Sequence, residues 1–199
     1  MTKGTGVDTD KFAVAPLPEA PLTFLLVGRL LEAKGLYEYA EAARIVKKRY
    51  PNARFQLLGA PESSRGGVPL ETVKGWEQEG IIEYLGVTRD VRPYVGQANV
   101  IVLPSWREGL PCSLMEAMSM GRPIVATDVP GCRDVVVDGK NGFLVPVRTP
   151  EALAKALESF LEDGALAACM GKEGRAIAET ELDARKAADL ILNVMKLVS

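Results

Sequence analysis

The sequence predicts an α/β fold, a Rossmann-like parallel sheet of about six strands with helices on both faces. Short apolar runs alternate along the chain with longer segments that are apolar at helical spacing. The run Val100-Ile101-Val102-Leu103 has the length and β-branched content of a strand that is buried on both faces. Strands that alternate with helices in this way form a parallel sheet through right-handed crossovers. With 199 residues the chain is long enough for one well-buried domain.

The first half of the chain contains four predicted strands. Residues 1–21 are predicted to be an extended lead-in, because prolines at positions 16, 18 and 21 restrict the backbone. The apolar run FLLV marks the first strand, and a segment of helical period follows it. The predicted strands here are residues 23–27, 54–58, 81–85 and 100–103. The predicted helices are residues 36–49, 70–79 and 89–98, the last of which contains a proline at position 93.

The second half of the chain completes the sheet and is then helical. An amphipathic segment at residues 113–120 is predicted to be a helix, and residues 124–126 and 142–145 are predicted to be strands. Residues 151–198 are apolar at helical spacing, with breaks at Asp163-Gly164 and near residues 180–182. We therefore expect three helices in the C-terminal third.

Composition excludes several classes of function. A net charge of −2 argues against nucleic acid as a partner. No apolar run approaches the roughly 20 residues that span a bilayer, and the first residues lack a signal-peptide core. Three scattered cysteines, at positions 112, 132 and 169, give no metal-ligand spacing and favour a reducing cytoplasm. The chain has no histidine, so it cannot by itself form a Ser-His-Asp triad or an HExxH zinc site.

A candidate binding site follows the strand at residues 100–103. The loop after this strand leads directly into a helix, and in parallel sheets ligands bind where such loops meet helix N-termini. Backbone amides near Ser113 and Leu114 could face an anion, while Glu108 and Glu116 frame the loop. Carboxylates accept hydrogen bonds from vicinal hydroxyl groups. A ligand with both phosphate and sugar hydroxyls, such as a nucleotide sugar, fits this combination.

The same residues also have structural alternatives. Ser113 and Glu116 also form an S-x-x-E capping box, which would place Glu116 in the first turn of the helix with only a structural role. Glu108 could be a solvated loop residue. Arg29 and Lys34 follow the first strand and lie at the same predicted edge as Glu108, where they would suit a diphosphate; the alternative is that both are surface cations.

Four motifs together indicate a family. The E-x7-E pattern of Glu108 and Glu116 stands within REGLPCSLMEAMSMGRPIVATDVPG. VGRL and KG precede it at residues 27–30 and 34–35, and DGKNGFLV follows at residues 138–145. From about residue 6 to the C-terminus, the chain closely resembles the donor-binding domain of family 4 (group 1) glycosyltransferases, in particular those of bacterial capsule, O-antigen or exopolysaccharide assembly. These are retaining enzymes of the two-domain GT-B architecture.

The resemblance implies a role for each matching residue. Arg29 and Lys34 match the basic pair that holds the donor diphosphate and stabilises the leaving group, and Glu108 matches the glutamate that contacts the transferred sugar. Glu116 matches the glutamate that binds the ribose hydroxyls. The implied catalytic residues are Glu108, Arg29 and Lys34. The implied donor-binding residues are Gly28, Arg29, Lys34, Gly59, Val87, Glu108, Gly109, Leu110, Pro111, Ser113, Leu114 and Glu116.

The resemblance also implies the domain organisation and the reaction. Residues 22–199 would form the nucleotide-sugar binding half of a GT-B enzyme, entered through the interdomain segment 1–21, with the N-terminal acceptor domain absent and the fragment alone little active. The expected reaction is retaining, metal-independent and cofactor-free transfer of a hexosyl or N-acetylhexosaminyl group, with UDP the expected carrier. A sugar or lipid-linked sugar is the expected acceptor, which would bring the full enzyme to the inner face of the membrane. A non-catalytic nucleotide-sugar binding module, or another GT-B enzyme such as an epimerase, remains the alternative.

Overall fold

A computed structural model of the chain describes residues 6–186 and 188. Six parallel strands form one sheet within these residues, as predicted. They are β1 (Thr23–Val27), β2 (Arg54–Leu58), β3 (Glu83–Tyr84), β4 (Val100–Leu103), β5 (Ile124–Thr127) and β6 (Gly142–Val145). Their order across the sheet is β3-β2-β1-β4-β5-β6. The order reverses direction between β1 and β4, and ligands of open parallel sheets bind at such a switch point.

Helices cover both faces of the sheet, also as predicted. They are α1 (Leu36–Arg49), α2 (Leu70–Gln78), α3 (Arg92–Gly96), α4 (Cys112–Ser119), α5 (Pro130–Arg133), α6 (Pro150–Glu162) and α7 (Leu166–Glu181). Alternate residues of β1 separate into two cores, since Phe24 packs with α1, α2 and α6 whereas Leu25 packs with α3 and α4. This alternation is the geometry of a strand that is buried on both faces. No helix in residues 6–186 and 188 combines the length and the apolarity that crossing a bilayer requires.

Several element boundaries differ from the sequence prediction. The strand predicted at residues 81–85 is only Glu83–Tyr84, because this edge strand pairs with β2 alone, at Gln56 and Leu57. The helix predicted at residues 89–98 begins at Arg92, since Pro93 has no amide hydrogen and fits only the first turn. A 3₁₀ turn at Glu32–Lys34 and the short helix α5 were not predicted. The third predicted C-terminal helix, beyond residue 182, lies largely outside the described residues.

The lead-in segment packs onto the domain through polar contacts that its sequence did not reveal. The side chain of Arg122 is fully buried, and it donates hydrogen bonds to the carbonyl oxygens of Ala15, Pro16, Val95 and Gly96 at 2.8–3.0 Å. Burial lowers the pKa of Arg122 to about 10, which leaves the guanidinium charged at neutral pH. Residues 15–16 are therefore tied to the helix that precedes β4.

Candidate functional site

The loops after β1, β4 and β5 meet at the carboxyl edge of the sheet because two glycines let their backbones touch. Gly35 has a φ of 73°, and a Cβ atom there would lie 2.1 Å from the carbonyl oxygen of Pro104. A Cβ atom on Gly131 would lie 1.9 Å from the carbonyl oxygen of Gly109. Any larger side chain would push these loops apart. The loop that carries Glu108 is consequently held between the β1 loop and α5.

The centre of this edge is an ion pair between Lys34 and Glu108. Lys34 ends the 3₁₀ turn after β1, and its Nζ atom lies 2.6 Å from Oε1 of Glu108. Only 26% of the lysine side chain and 10% of the glutamate side chain are exposed. Glu108 is therefore not a solvated loop residue, and the prediction that it shares an edge with Lys34 is confirmed. A shielded pair of this kind is screened by salt much less than a surface pair.

The second predicted cation, Arg29, is paired with a residue that the sequence did not mark. Its Nη1 atom lies 2.6 Å from Oε2 of Glu62, and 64% of the arginine side chain is exposed. Glu62 also accepts a hydrogen bond from the backbone amide of Ser64. This hydrogen bond lowers the pKa of the Glu62 carboxyl, and the charge of Arg29 lowers it further. No local pattern identifies Glu62, because it stands in an irregular loop 33 positions from its partner.

The segment that contains Glu62 is fixed alongside the β1 loop by backbone hydrogen bonds. The amide of Leu30 donates to the carbonyl oxygen of Ala60 at 2.9 Å, and the amide of Glu32 donates to that of Gly66 at 2.9 Å. Arg29 is thus oriented by a carboxylate on a fixed segment while most of its side chain faces solvent. Both predicted diphosphate-binding cations have carboxylate partners in this structure, which the sequence did not indicate.

Glu116 lies in the second turn of α4, which corrects the expectation that it lies in the first. The helix begins at Cys112 after Pro111, and no side chain caps its N-terminus. The capping-box alternative is therefore wrong, since Ser113 is already inside the helix. Burial raises the pKa of the half-buried Glu116 carboxyl, and the nearby charge of Lys11 opposes this rise.

Glu116 faces a surface cavity rather than the packed core. The cavity has a volume of about 230 Å³ and is lined by Lys11, Phe12, Arg89, Asp90, Val91, Arg92 and Glu116. Of these, only Glu116 was among the predicted site residues. A half-buried carboxylate that lines an open polar cavity can accept hydrogen bonds from a ligand.

The stability of the chain should depend on pH through Glu116. Because its pKa is raised above the ordinary value of 4.5, protonation stabilises the folded state below about pH 4.5, and this contribution is lost as pH rises through the raised pKa. Glu116→Gln, which stays neutral, should match the wild type near pH 4 and be more stable at pH 7. Urea unfolding at both pH values measures the difference. The exposed Glu71→Gln serves as control, and an equal effect of both variants would contradict burial as the cause.

The remaining predicted site residues lie after the ends of β1, β2 and β3 or between Glu108 and Glu116. The amide of Gly28 donates to the carbonyl oxygen of Leu58, and the amide of Gly59 donates to the carbonyl oxygen of Gly86 at 2.9 Å. Val87, next to Gly86, is 63% exposed. Gly109, Leu110, Pro111 and Ser113 lie between Glu108 and Glu116. The amide of the buried Leu114 donates to the carbonyl oxygen of Pro111 at 3.0 Å, so it is already engaged within the chain.

Cys132 lies behind the ion pair and is chemically protected there. It is fully buried on α5, and burial, reinforced by the charge of Glu108, raises the pKa of its thiol to about 12. The thiolate is the reactive form of cysteine, so this residue is inert near neutral pH. Cys112 and Cys169 are exposed.

Comparison with known proteins agrees with this architecture. A family model described as glycosyl transferases group 1 matches residues 21–163. The putative colanic acid biosynthesis glycosyltransferase WcaL of Escherichia coli (strain K12) is 34% identical over 165 residues, which cover 78% of this chain and 40% of that protein. The chain spans about two fifths of the length of the curated relatives it matches.

Solved structures share the fold. Sucrose-phosphate synthase (tll1590) from Thermosynechococcus elongatus superimposes with a TM-score of 0.84 at 27% identity, over 97% of this chain and 51% of that chain. Anabaena Alr3699/HepE, solved in complex with UDP-glucose, superimposes with a TM-score of 0.82 at 22% identity, over 96% of this chain and 56% of that chain. These neighbours are GT-B glycosyltransferases, and the predicted Rossmann-like fold is confirmed. Because the family model matches well over half of the chain, this chain belongs to the group 1 glycosyl transferases.

Proposed function

We propose that residues 22–199 form the donor-binding domain of a retaining glycosyltransferase that transfers a hexosyl or N-acetylhexosaminyl group from UDP to a sugar or lipid-linked sugar. The observation that carries this proposal is the shielded Lys34–Glu108 pair at the switch point of the sheet, with Lys34 Nζ and Glu108 Oε1 2.6 Å apart. Arg29 and Glu116 lie at the same edge and add a solvent-facing cation and a carboxylate that lines a cavity.

The proposed chemistry assigns the charges to the two halves of the donor. Cleavage of the sugar–phosphate bond leaves negative charge on the diphosphate and positive character on the sugar. Lys34 and Arg29 would stabilise the diphosphate oxygens, and cations held in place before the reaction lower such a barrier most effectively. Glu108 would contact the transferred sugar, and Glu116 would accept hydrogen bonds from the ribose hydroxyls. The two cations provide charge stabilisation without a metal ion, so we propose a metal-independent reaction.

Two comparisons support the choice of donor and acceptor. HepE was solved with UDP-glucose and shares the fold of this chain, which favours a uridine nucleotide. The WcaL relative is described as a colanic acid biosynthesis enzyme, which favours a growing polysaccharide or its lipid-linked precursor as acceptor. With such an acceptor the enzyme would work at the inner face of the cytoplasmic membrane. We place acceptor binding on a separate N-terminal domain, so the 199-residue chain alone is expected to transfer little sugar.

A nucleotide-binding panel tests the proposal. The melting temperature of the chain is measured with UDP, GDP, ADP and dTDP, each with and without Mg²⁺, and calorimetry gives the affinities. A ligand that binds only the native state at 100 times its Kd stabilises it by about 2.7 kcal/mol. We expect stabilisation by UDP in preference to the other nucleotides, unchanged by Mg²⁺.

Variants test whether UDP binding requires the side chain of Glu116. Glu116→Ala should abolish the UDP-induced shift while the ligand-free chain stays folded, and the exposed control Glu71→Ala should respond to UDP like the wild type. Equal stabilisation by all four nucleotides would overturn the choice of UDP, and a requirement for Mg²⁺ would overturn the metal-independent mechanism. A chain that binds no nucleotide would contradict the donor-domain proposal. Release of free sugar or of an epimer from UDP-sugar would favour a different GT-B enzyme.

A further inference from the structure

Three unusual features surround Trp106, two positions before Glu108. Among the described residues, the only buried side-chain polar atoms without a hydrogen-bond partner are Oε2 of Glu38 and Oγ of Ser105. In the same part of the chain, the only residue other than glycine with a positive φ is Arg148, at 57°. Its guanidinium lies 3.9 Å from the centre of the Trp106 ring. Unsatisfied polar groups and strained backbone cost free energy and tend to occur at functional sites.

Trp106 joins the loop of Glu108 to the segment that carries Lys34. Its backbone amide donates to the carbonyl oxygen of Ala33 at 2.9 Å, and its indole Nε1 donates to Oε1 of Glu38 at 2.9 Å. Ala33 directly precedes Lys34, and Glu38 lies in the first turn of α1, just after it. The two hydrogen bonds therefore fix the backbone on both sides of the lysine relative to the strand-end loop. The hydroxyl of Thr127 also donates to the carbonyl oxygen of Ser105.

We propose that Glu38 is a positioning residue that acts through Trp106 to fix Glu108 against Lys34, an inference that rests on the proposed function of this site. A carboxylate suits this place, because the first turn of a helix favours negative charge and a charged acceptor strengthens the indole hydrogen bond. The indole in turn is held between this hydrogen bond and the guanidinium of Arg148. Catalytic side chains must be held within about 0.5 Å of their productive position, and such supporting contacts provide this.

Control variants distinguish this positioning from an effect of Glu38 on the helix dipole of α1 and from simple space-filling by Trp106. Glu71 occupies the first turn of α2 and is exposed, so Glu71→Ala removes the same dipole interaction far from the site. Trp76 is a buried indole of the core, so Trp76→Phe reproduces the loss of packing. Glu38→Gln keeps an oxygen that accepts the indole hydrogen bond and removes only the charge.

Hydrogen exchange of the ligand-free chain tests the positioning without any nucleotide. We expect amide exchange in residues 104–110 to be about tenfold faster in Glu38→Ala and in Trp106→Phe, as the loss of one charge-assisted hydrogen bond implies. Glu71→Ala and Trp76→Phe should exchange like the wild type in this segment. Glu38→Gln, which keeps the acceptor oxygen but loses its charge, should exchange at a rate between those of the wild type and Glu38→Ala. Unchanged exchange in Glu38→Ala, or equal acceleration in Glu71→Ala, would overturn the proposal.

Calorimetry with UDP and UDP-glucose then tests the consequence for the site. Because Glu108 is assigned to the sugar, Glu38→Ala should reduce the preference for UDP-glucose over UDP by about three- to tenfold. Glu38→Gln should restore part of the preference, because it keeps the acceptor oxygen without the charge. An unchanged preference in Glu38→Ala would overturn the link to Glu108. Failure of the wild type to bind either ligand would contradict the proposed function, whereas the exchange experiment would still decide whether Glu38 positions the loop.

Discussion

Replacement of Arg122 by methionine is expected to lower the free energy of unfolding by about 3–5 kcal/mol, because several buried carbonyl groups would lose their hydrogen-bond donor. The buried guanidinium donates to four carbonyl oxygens, at Ala15, Pro16, Val95 and Gly96. Methionine has similar length but no donor, so these carbonyl groups would lose their partner on a surface that stays closed to water. The free-energy cost of removing these carbonyl groups from water would then no longer be offset by hydrogen bonds. Urea unfolding followed by circular dichroism measures the change.

Two further variants separate this role of Arg122 from charge alone. Arg122→Lys keeps the positive charge but has fewer donors in a different geometry, so it should recover only part of the stability. Arg133→Met removes an arginine from the exposed Arg133–Asp128 pair and should leave the unfolding midpoint unchanged. A midpoint for Arg122→Met equal to that of Arg133→Met would contradict the role assigned to the buried guanidinium. Hydrogen exchange in residues 12–17 should rise in Arg122→Met, because these residues lose their tie to the domain.

Lys34→Met is expected to weaken UDP binding about 10- to 100-fold, the loss typical of one charge-assisted hydrogen bond. It should also destabilise the ligand-free chain by about 1–3 kcal/mol, because it leaves the shielded carboxylate of Glu108 without its cation. Glu108→Gln should have the opposite effect on UDP, strengthening its binding about threefold, because the carboxylate no longer competes for the lysine. The same variant should lose the preference for UDP-glucose over UDP.

A double-mutant cycle between Lys34→Met and Glu108→Gln measures the interaction free energy of the ion pair. The two residues are in direct contact, so their effects on unfolding should be non-additive by about 1–2 kcal/mol. Calorimetry with the same four proteins gives the corresponding cycle for the free energy of UDP binding. Additive effects on stability would show that the ion pair contributes nothing, and a loss of UDP binding in Glu108→Gln as large as that in Lys34→Met would contradict the separate roles proposed for the two residues.

Much of the fold could be predicted because the local signals agree with one another. The predicted strands at residues 23–27, 54–58, 100–103 and 142–145 coincide with those of the structure, since buried parallel strands are continuous apolar runs with sharp ends. The length of the edge strand β3 was overestimated, because the apolar residues in 81–85 pack in the core while only two residues of this segment pair with β2. Helix α5 was missed because a four-residue helix has no period to detect.

Part of the candidate site could be predicted for the same reason. Lys34 and Glu108 each follow the end of a strand, and parallel strands place their carboxyl ends at one edge whatever the details of packing. Glu116 was predicted to lie in the first turn of α4 but lies in the second, because the helix begins one residue earlier, at Cys112, and only the backbone geometry shows this. The start of a helix depends on hydrogen bonds that a motif alone does not determine.

The α/β class, most strand positions and the edge at which the charged residues meet follow from the pattern of amino acids alone. The partners of the carboxylates follow only from the packed structure: Glu62 binds Arg29, Glu108 binds Lys34, and Glu38 binds Trp106, across 33, 74 and 68 positions of the chain. The packed structure also decided that Arg122 is buried. The physical reason is that periodicity reports the environment of a segment, whereas the partner of a charge depends on which distant segments the packed loops bring within hydrogen-bond distance.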